Sequence, residues 1–143
     1  MTEAKRIINE LLVEIFNRIL AIEGEALKQQ GIKLSMSEVH VLEAISNVDE
    51  PTMTNISSKL GITVGSATTA INTLVQKGYV NRERDDLDRR KVLITLNSRA
   101  NEVLQVHSVF HQKMIDSVFE DLKIEEDEVL IASLKRVSSY FKK

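Results

Sequence analysis

Three observations predict a mainly α-helical chain with one small β-hairpin. Apolar residues recur at helical spacing through most of the 143 residues. Two short helical patterns meet at a tight junction marked by Gly61. Directly after them the apolar period shortens over Tyr79–Arg84 and again over Val92–Leu96, the signature of two short strands.

Each element has a local cause. Apolar pairs at Ile7/Ile8, Leu11/Leu12, Ile15/Phe16 and Ile19/Leu20 predict a helix from residue 5 to about 29, which Gly31 ends. Ser35-Met36-Ser37-Glu38 has capping-box spacing and opens a second helix with Val39, Leu42 and Ile45 facing inward. Pro51 suits a turn or a helix entry. Ile56 and Leu60 mark a short helix stopped by Gly61. Thr63 caps the next one, which sets Val64, Ala67, Ile71 and Leu74 on one side and ends at Lys77-Gly78. The strands are joined by the charged loop Asp85-Asp86-Leu87-Asp88-Arg89-Arg90. Asn97 caps a long helix to about Leu122, carrying Val103, Val106, Phe110 and Met114. A last helix from about Glu125 carries Leu130, Leu134, Val137 and Phe141.

Composition narrows the function classes. An apolar fraction of 43% supports a packed core, and 28% charged residues suit a water-facing surface. No apolar run approaches the roughly 18 residues that a membrane span needs. Met1-Thr2-Glu3-Ala4-Lys5 lacks the layout of a secretory signal, so a cytoplasmic address without a membrane partner is expected. The absence of cysteine excludes disulfides, thiolate zinc sites and thiol-based redox sensing. The net charge of −2 is unevenly spread. Residues 52–100 hold eight Lys/Arg against four Asp/Glu, whereas 1–51 hold five against nine and 101–143 six against eight. A basic middle between acidic ends predicts a polyanion-facing surface in the middle.

Helix, tight turn, helix and basic hairpin in that order predict a winged helix-turn-helix with long terminal helices. A helix that enters a major groove needs small polar side chains on its outer face. Opposite its apolar side the second helix offers Gly65, Ser66, Thr69, Thr73 and Gln76, with Asn72 at the flank. Hydroxyls there can donate or accept, threonine methyls can touch thymine methyls, and Gln or Asn can pair with adenine. The hairpin adds Arg82 and Arg84 on a strand and Arg89, Arg90 and Lys91 near its tip, where arginine can enter a minor groove or fork onto phosphates. Asp88 is placed to fix a neighbouring arginine. Double-stranded DNA is the expected partner.

These residues carry a resemblance. Thr63-Val64-Gly65-Ser66-Ala67-Thr68, Leu74-Val75-Gln76-Lys77-Gly78-Tyr79-Val80, Asp88-Arg89-Arg90 and Leu96 resemble, in order, the MarR family of transcriptional regulators. That family's pattern usually continues Leu-Thr-x-x-Gly, and here Asn97 and Ala100 stand for the Thr and the Gly. The resemblance implies a single domain over 1–143, with a DNA-binding core at 33–97 and dimerisation helices at 1–32 and 98–143. It implies a homodimeric repressor, Thr68 among the DNA-contacting residues, Arg89 in the minor groove, and Asp88 with Arg90 as its support. The terminal helices agree, because they show more apolar surface than so small a domain can cover alone. Two-fold pairing would hide it and set two recognition helices about 34–36 Å apart, on a pseudo-palindromic operator.

For the signal, two alternatives stand. Phe16-Asn17-Arg18-Ile19-Leu20-Ala21-Ile22-Glu23, Ser37-Glu38-Val39-His40 and Phe110-His111-Gln112-Lys113-Met114 resemble the FabT-type repressors of fatty-acid biosynthesis. This implies long-chain acyl-acyl carrier protein as corepressor, with no further cofactor required. Phe16, Leu20, His40, Leu42, Phe110 and Met114 are the candidate ligand-binding residues, and the apolar ones among them could equally be plain core. At about 0.8 kcal/mol per buried methylene, only a long chain binds well without many polar contacts. The alternative is zinc held by His40, His107 and His111, completed by an acid such as Glu23, Glu25 or Glu102. An enzyme is not expected, since the sequence has no glycine-rich phosphate loop, no G-x-S-x-G and no H-E-x-x-H.

Overall fold

In a computed structural model the described residues are 1–123 and 126–142. They form two compact units, Met1–His107 and Ser108–Lys143.

The first unit opens with a continuous helical rod. Helix α1 (Glu3–Asn9) passes through a π-helical stretch (Glu10–Ile15) into α2 (Phe16–Gln29). Thr2 caps its start, its hydroxyl accepting from the Lys5 amide three residues on. Gly31 ends it at φ +75, while the Gly31 and Ile32 amides return to the Lys28 and Leu27 carbonyls. Ser35 then opens α3 (Met36–Asn47) with the expected capping box: its hydroxyl accepts from the Glu38 amide, and the Glu38 carboxylate accepts from the Ser35 amide.

Helices α4 (Met53–Leu60) and α5 (Val64–Gln76) are separated by three residues. Gly61 adopts φ +68, which lets the Ile62 amide reach the Ser57 carbonyl and closes α4. Strands β1 (Val80–Arg84) and β2 (Val92–Leu96) pair antiparallel, from Val80 opposite Leu96 to Arg84 opposite Val92. The hairpin is tied to the helices where the Ile94 amide donates to the Pro51 carbonyl.

The core of this unit collects the predicted inward faces: Val39, Leu42, Ile45, Ile56, Ala67, Ile71 and Leu74 are buried, with Val80 and Ile94 from the strands. Val64 is a correction. It was expected on the apolar side of α5 but is 47% exposed, because the whole first turn, Val64-Gly65-Ser66, extends beyond the packed core into solvent. Leu42, a candidate ligand-binding residue, is fully buried in the core.

Helix α6 (Ser98–Leu122) begins in the first unit. Asn97 caps it as expected, its Oδ1 accepting from the Ala100 amide at 3.1 Å. The second unit holds the rest of α6 and helix α7 (Glu128–Phe141), capped by Asp127. The expected start of this last helix at Glu125 lies outside the described residues. Among the described residues no helix is long and apolar enough to cross a membrane.

Both units keep large apolar side chains in solvent. Ile7, Ile8, Leu11, Leu12, Val13 and Phe16 are exposed on the first, and Ile115, Val118, Val129, Leu134 and Phe141 on the second.

Glu38 links the cap of α3 to the end of α5, since the Lys77 ammonium lies 2.8 Å from its carboxylate. Burial pushes the Glu38 carboxyl up, but hydrogen bonds from Lys77 and Ser35 and the Lys77 charge outweigh it and hold the pKa below the ordinary 4.5. A carboxylate depressed in the folded state adds stability above its unfolded pKa and loses it as pH falls through the folded value. Glu38→Gln should therefore lower the urea midpoint at pH 7. The gap to the parent should close as pH drops below 4.5; a gap of constant size down to the acid limit would contradict this role.

Candidate nucleic-acid interface

The exposed side of α5 is uncharged. Gly65, Thr69, Asn72 and Gln76 stand at i, i+4, i+7 and i+11, one stripe along the helix, and all four are exposed together with Ser66. Thr68 and Thr73 are half-buried at its margins. Thr63 caps the helix by accepting from the Ser66 amide at 3.1 Å and donates its own proton to Ser66 Oγ at 3.0 Å. The other hydroxyls turn back on the helix: Thr68 Oγ1 donates to the Val64 carbonyl at 2.7 Å, Thr69 to Gly65 at 3.1 Å and Thr73 to Thr69 at 3.2 Å. With its proton committed, each of these threonine hydroxyls keeps only acceptor lone pairs for an outside partner.

On the hairpin, Arg82 and Arg84 alternate onto one face of β1. Arg82 Nη2 donates to Asn72 Oδ1, joining the strand to the stripe on α5. Arg84 Nη1 donates to the Arg89 carbonyl at 2.7 Å and braces the loop from below. Asp88 Oδ1 accepts from the Arg90 amide at 3.1 Å and from Arg90 Nε at 3.3 Å, so the arginine it fixes is Arg90. The Asp85 amide to Lys91 carbonyl bond and the Lys91 amide to Asp88 carbonyl bond close the loop. Among the described residues the Arg89 guanidinium has no hydrogen bond or ion pair, and it points from an ordered loop into solvent. Lys91 differs from expectation: its Nζ lies 2.5 Å from Glu50 Oε1, and this contact raises its pKa. It remains charged, but its charge is already partnered.

An uncharged helical stripe beside an arginine-bearing hairpin, on one compact unit, fits a duplex groove and its flanking phosphates. The comparisons agree. The MarR family profile matches residues 34–92. The uncharacterized HTH-type transcriptional regulator YwhA of Bacillus subtilis (strain 168) is 30% identical over 98 residues, covering 68% of this chain and 70% of that protein. The HTH-type transcriptional regulator SarZ of Staphylococcus haemolyticus is 31% identical over 108 residues, covering 74% and 71%. The crystal structure of Streptococcus pneumoniae FabT in complex with DNA superposes with a TM-score of 0.83 at 30% identity, covering 96% of this chain and 97% of that one.

The chain belongs to the MarR family. It is a DNA-binding transcriptional regulator of the winged helix type, as its architecture and these relatives agree.

The candidate effector residues of this MarR protein are more scattered. Phe16 is 54% exposed on α2, Leu20 and His40 are half-buried, and Phe110 and Met114 are half-buried in the second unit. His111, also in the second unit, has its ring edge-on to Phe110. His107 is 5% exposed, and its Nε2 lies 2.8 Å from Glu43 Oε1, an acid the sequence reading did not include. Of the three acids that were named, Glu23 is buried, with a carboxylate oxygen within 4.8 Å of a His107 ring nitrogen. Glu25 and Glu102 are exposed. A cavity of about 530 Å³ in the first unit is lined instead by Gln30, Ile32, Tyr79, Arg99, Glu102, Gln105 and neighbours. Ile32, Val103 and Val106 line it beside these polar groups.

The sequence reading missed Glu50, Glu43 and Arg99. Arg99 Nη1 donates to the Lys77 carbonyl at 3.0 Å, and its guanidinium lies 4.4 Å from the Tyr79 ring centroid. No motif marks these residues, because each meets a partner 20 or more positions away.

Removing the Asp88 carboxylate should loosen the loop and leave the fold intact. Asp88→Ala is expected to speed amide exchange at Arg90 with a stability change within about 0.5 kcal/mol. Unchanged exchange there would show that the tip is held by other contacts.

Proposed function

We propose that this MarR-family protein is a homodimeric repressor that lays α5 in the major groove and its hairpin against the minor groove of a pseudo-palindromic operator. The observation that carries the reading is the uncharged Gly65-Thr69-Asn72-Gln76 stripe joined to the arginine hairpin through Arg82 and Asn72. In this reading Ser66, Thr69, Asn72 and Gln76 meet base edges, with Gly65 allowing close approach and Thr68 and Thr73 at the margin. Arg89 enters the minor groove, while Asp88, Arg90 and Arg84 hold the loop that presents it. Lys91 meets phosphate with its charge shared with Glu50. The dimer rests on the apolar side chains that the terminal helices leave in solvent, which are too many and too contiguous in sequence for a water-facing rod.

We further infer that the regulated genes belong to fatty-acid biosynthesis and that long-chain acyl-acyl carrier protein is the corepressor. The support is the sequence resemblance to the FabT-type repressors and the likeness to the Streptococcus pneumoniae protein over almost the whole chain.

Arg89→Ala should weaken operator binding about tenfold or more and reduce the slope of log affinity against log salt by up to about one unit, with an unchanged unfolding midpoint. A gel-shift titration indistinguishable from the parent's would remove Arg89 from the interface. For the signal, operator binding is titrated with acyl carrier protein, with its long-chain acyl form, and with zinc or a chelator. Tightening by the acylated carrier alone is expected. A response to zinc with none to the acylated carrier would overturn the fatty-acid reading.

A further inference from the structure

A strand arginine beside a DNA-reading helix is ordinarily taken as a phosphate contact. Arg82 is placed for a different task. Its guanidinium donates to Asn72 Oδ1, and Asn72 stands on the exposed stripe of α5 with Thr69 one turn before it and Gln76 one turn after. A guanidinium has donors only, so the amide must turn its oxygen toward Arg82. The Nδ2 hydrogens are then directed away from the hairpin. An unrestrained asparagine can present its amide in either sense. This one is held in one.

The neighbours sharpen the consequence. Thr69 and Thr73 have given their hydroxyl protons to backbone carbonyls, so they offer lone pairs and methyls to a groove. Asn72 is therefore the group in the middle of the stripe that brings a donor to it in a fixed direction.

We propose that Arg82 is a specificity-determining positioning residue, which orients the Asn72 amide so that the recognition helix reads a base-edge acceptor, such as a purine N7, at one operator position. The proposal rests on α5 being the base-reading element and deepens that reading. Arg82 acts through Asn72 and does not itself read a base. The two roles open to this arginine leave different traces. A phosphate contact lowers affinity on every sequence and flattens the salt dependence, whereas a positioning contact changes which base is accepted at one site.

The test is a double-mutant cycle with Arg82→Ala, Asn72→Ala and the pair, measured on the operator, on single-base variants of it and on random DNA at two salt concentrations. Unfolding midpoints verify that each variant is folded. Expected is a loss of about tenfold in discrimination at one base-pair position for Arg82→Ala, with little change on random DNA or in the salt slope. The same substitution made in the Asn72→Ala background should then cost no further discrimination. Replacing the purine at that position by its 7-deaza analogue should weaken the parent and leave Asn72→Ala unaffected. A uniform loss on all sequences with a shallower salt slope would overturn the proposal and make Arg82 a phosphate contact. A full-sized loss of discrimination in the Asn72→Ala background would overturn it too. If Asn72→Ala and Thr69→Ala both leave every base preference intact, the fault lies deeper, in the assignment of α5 as the reader.

Discussion

The geometry of the surface shared by α5 and the hairpin depends on how the end of α5 is held. A helix leaves its last carbonyls without intrahelical partners, and an end that satisfied them only with water would be free to tilt. Here the turn Lys77-Gly78-Tyr79 is pinned from three directions. Glu38 on α3 takes the Lys77 ammonium, Arg99 on α6 donates to the Lys77 carbonyl, and Asn97 Nδ2 donates to the Gly78 carbonyl at 2.6 Å. Gly78 makes the arrangement possible. Its φ is +82, and a Cβ there would come within 3.0 Å of the Arg99 guanidinium. The same turn leads directly into β1. Fixing one short segment therefore fixes both α5 and the strand that carries Arg82 and Arg84.

The cations of the hairpin are not equivalent, although the sequence presents them as one basic cluster. Arg84 is committed to a backbone carbonyl, Arg90 to Asp88, Lys91 to Glu50 and Arg82 to Asn72. Exposed pairs of this kind add little stability. Their effect is on order and direction. They restrict the loop so that the Arg89 backbone is defined before any partner arrives, and in the proposed role that lowers the entropic cost of binding. The nearby acids, which look adverse for a DNA-binding surface, serve as the fixtures of that loop.

What was legible in the sequence was local. The Ser35 box, the Thr63 and Asn97 caps and the Gly61 stop involve partners a few residues apart, and the apolar faces of α3 and α5 follow from helical spacing. The hairpin was found from its change of period. Contacts between elements were out of reach. Lys91 reaches Glu50, His107 reaches Glu43 and Lys77 reaches Glu38, and nothing in composition or spacing singles out one acid among 21. Val64 failed for a related reason: periodicity says which way a side chain faces, not whether anything is there to meet it. The apolar candidates for a ligand wall suffered the same ambiguity. Leu42 is core and Phe16 is surface, yet both had helical spacing and suitable size.

The exposed apolar face of the N-terminal rod bears on regulation. The apolar side chains from Ile7 to Phe16, except half-buried Ile15, lie in solvent on a rod whose continuation, α2, buries Glu23 and Leu27 in the first unit. If a second copy covers the outer face, as proposed, pairing and DNA binding are linked by mass action, since the paired form presents two reading helices to one operator. An effector then needs no contact with α5 to act. It must bind one arrangement of the rod more tightly than another, and the free energy available to shift operator affinity is limited to that difference. The pinned turn at Lys77-Gly78-Tyr79 is suited to such transmission, because Arg99 and Asn97 enter it from the α6 end while α5 and β1 leave it. A displacement of the first turn of α6 would therefore move α5 and the hairpin together.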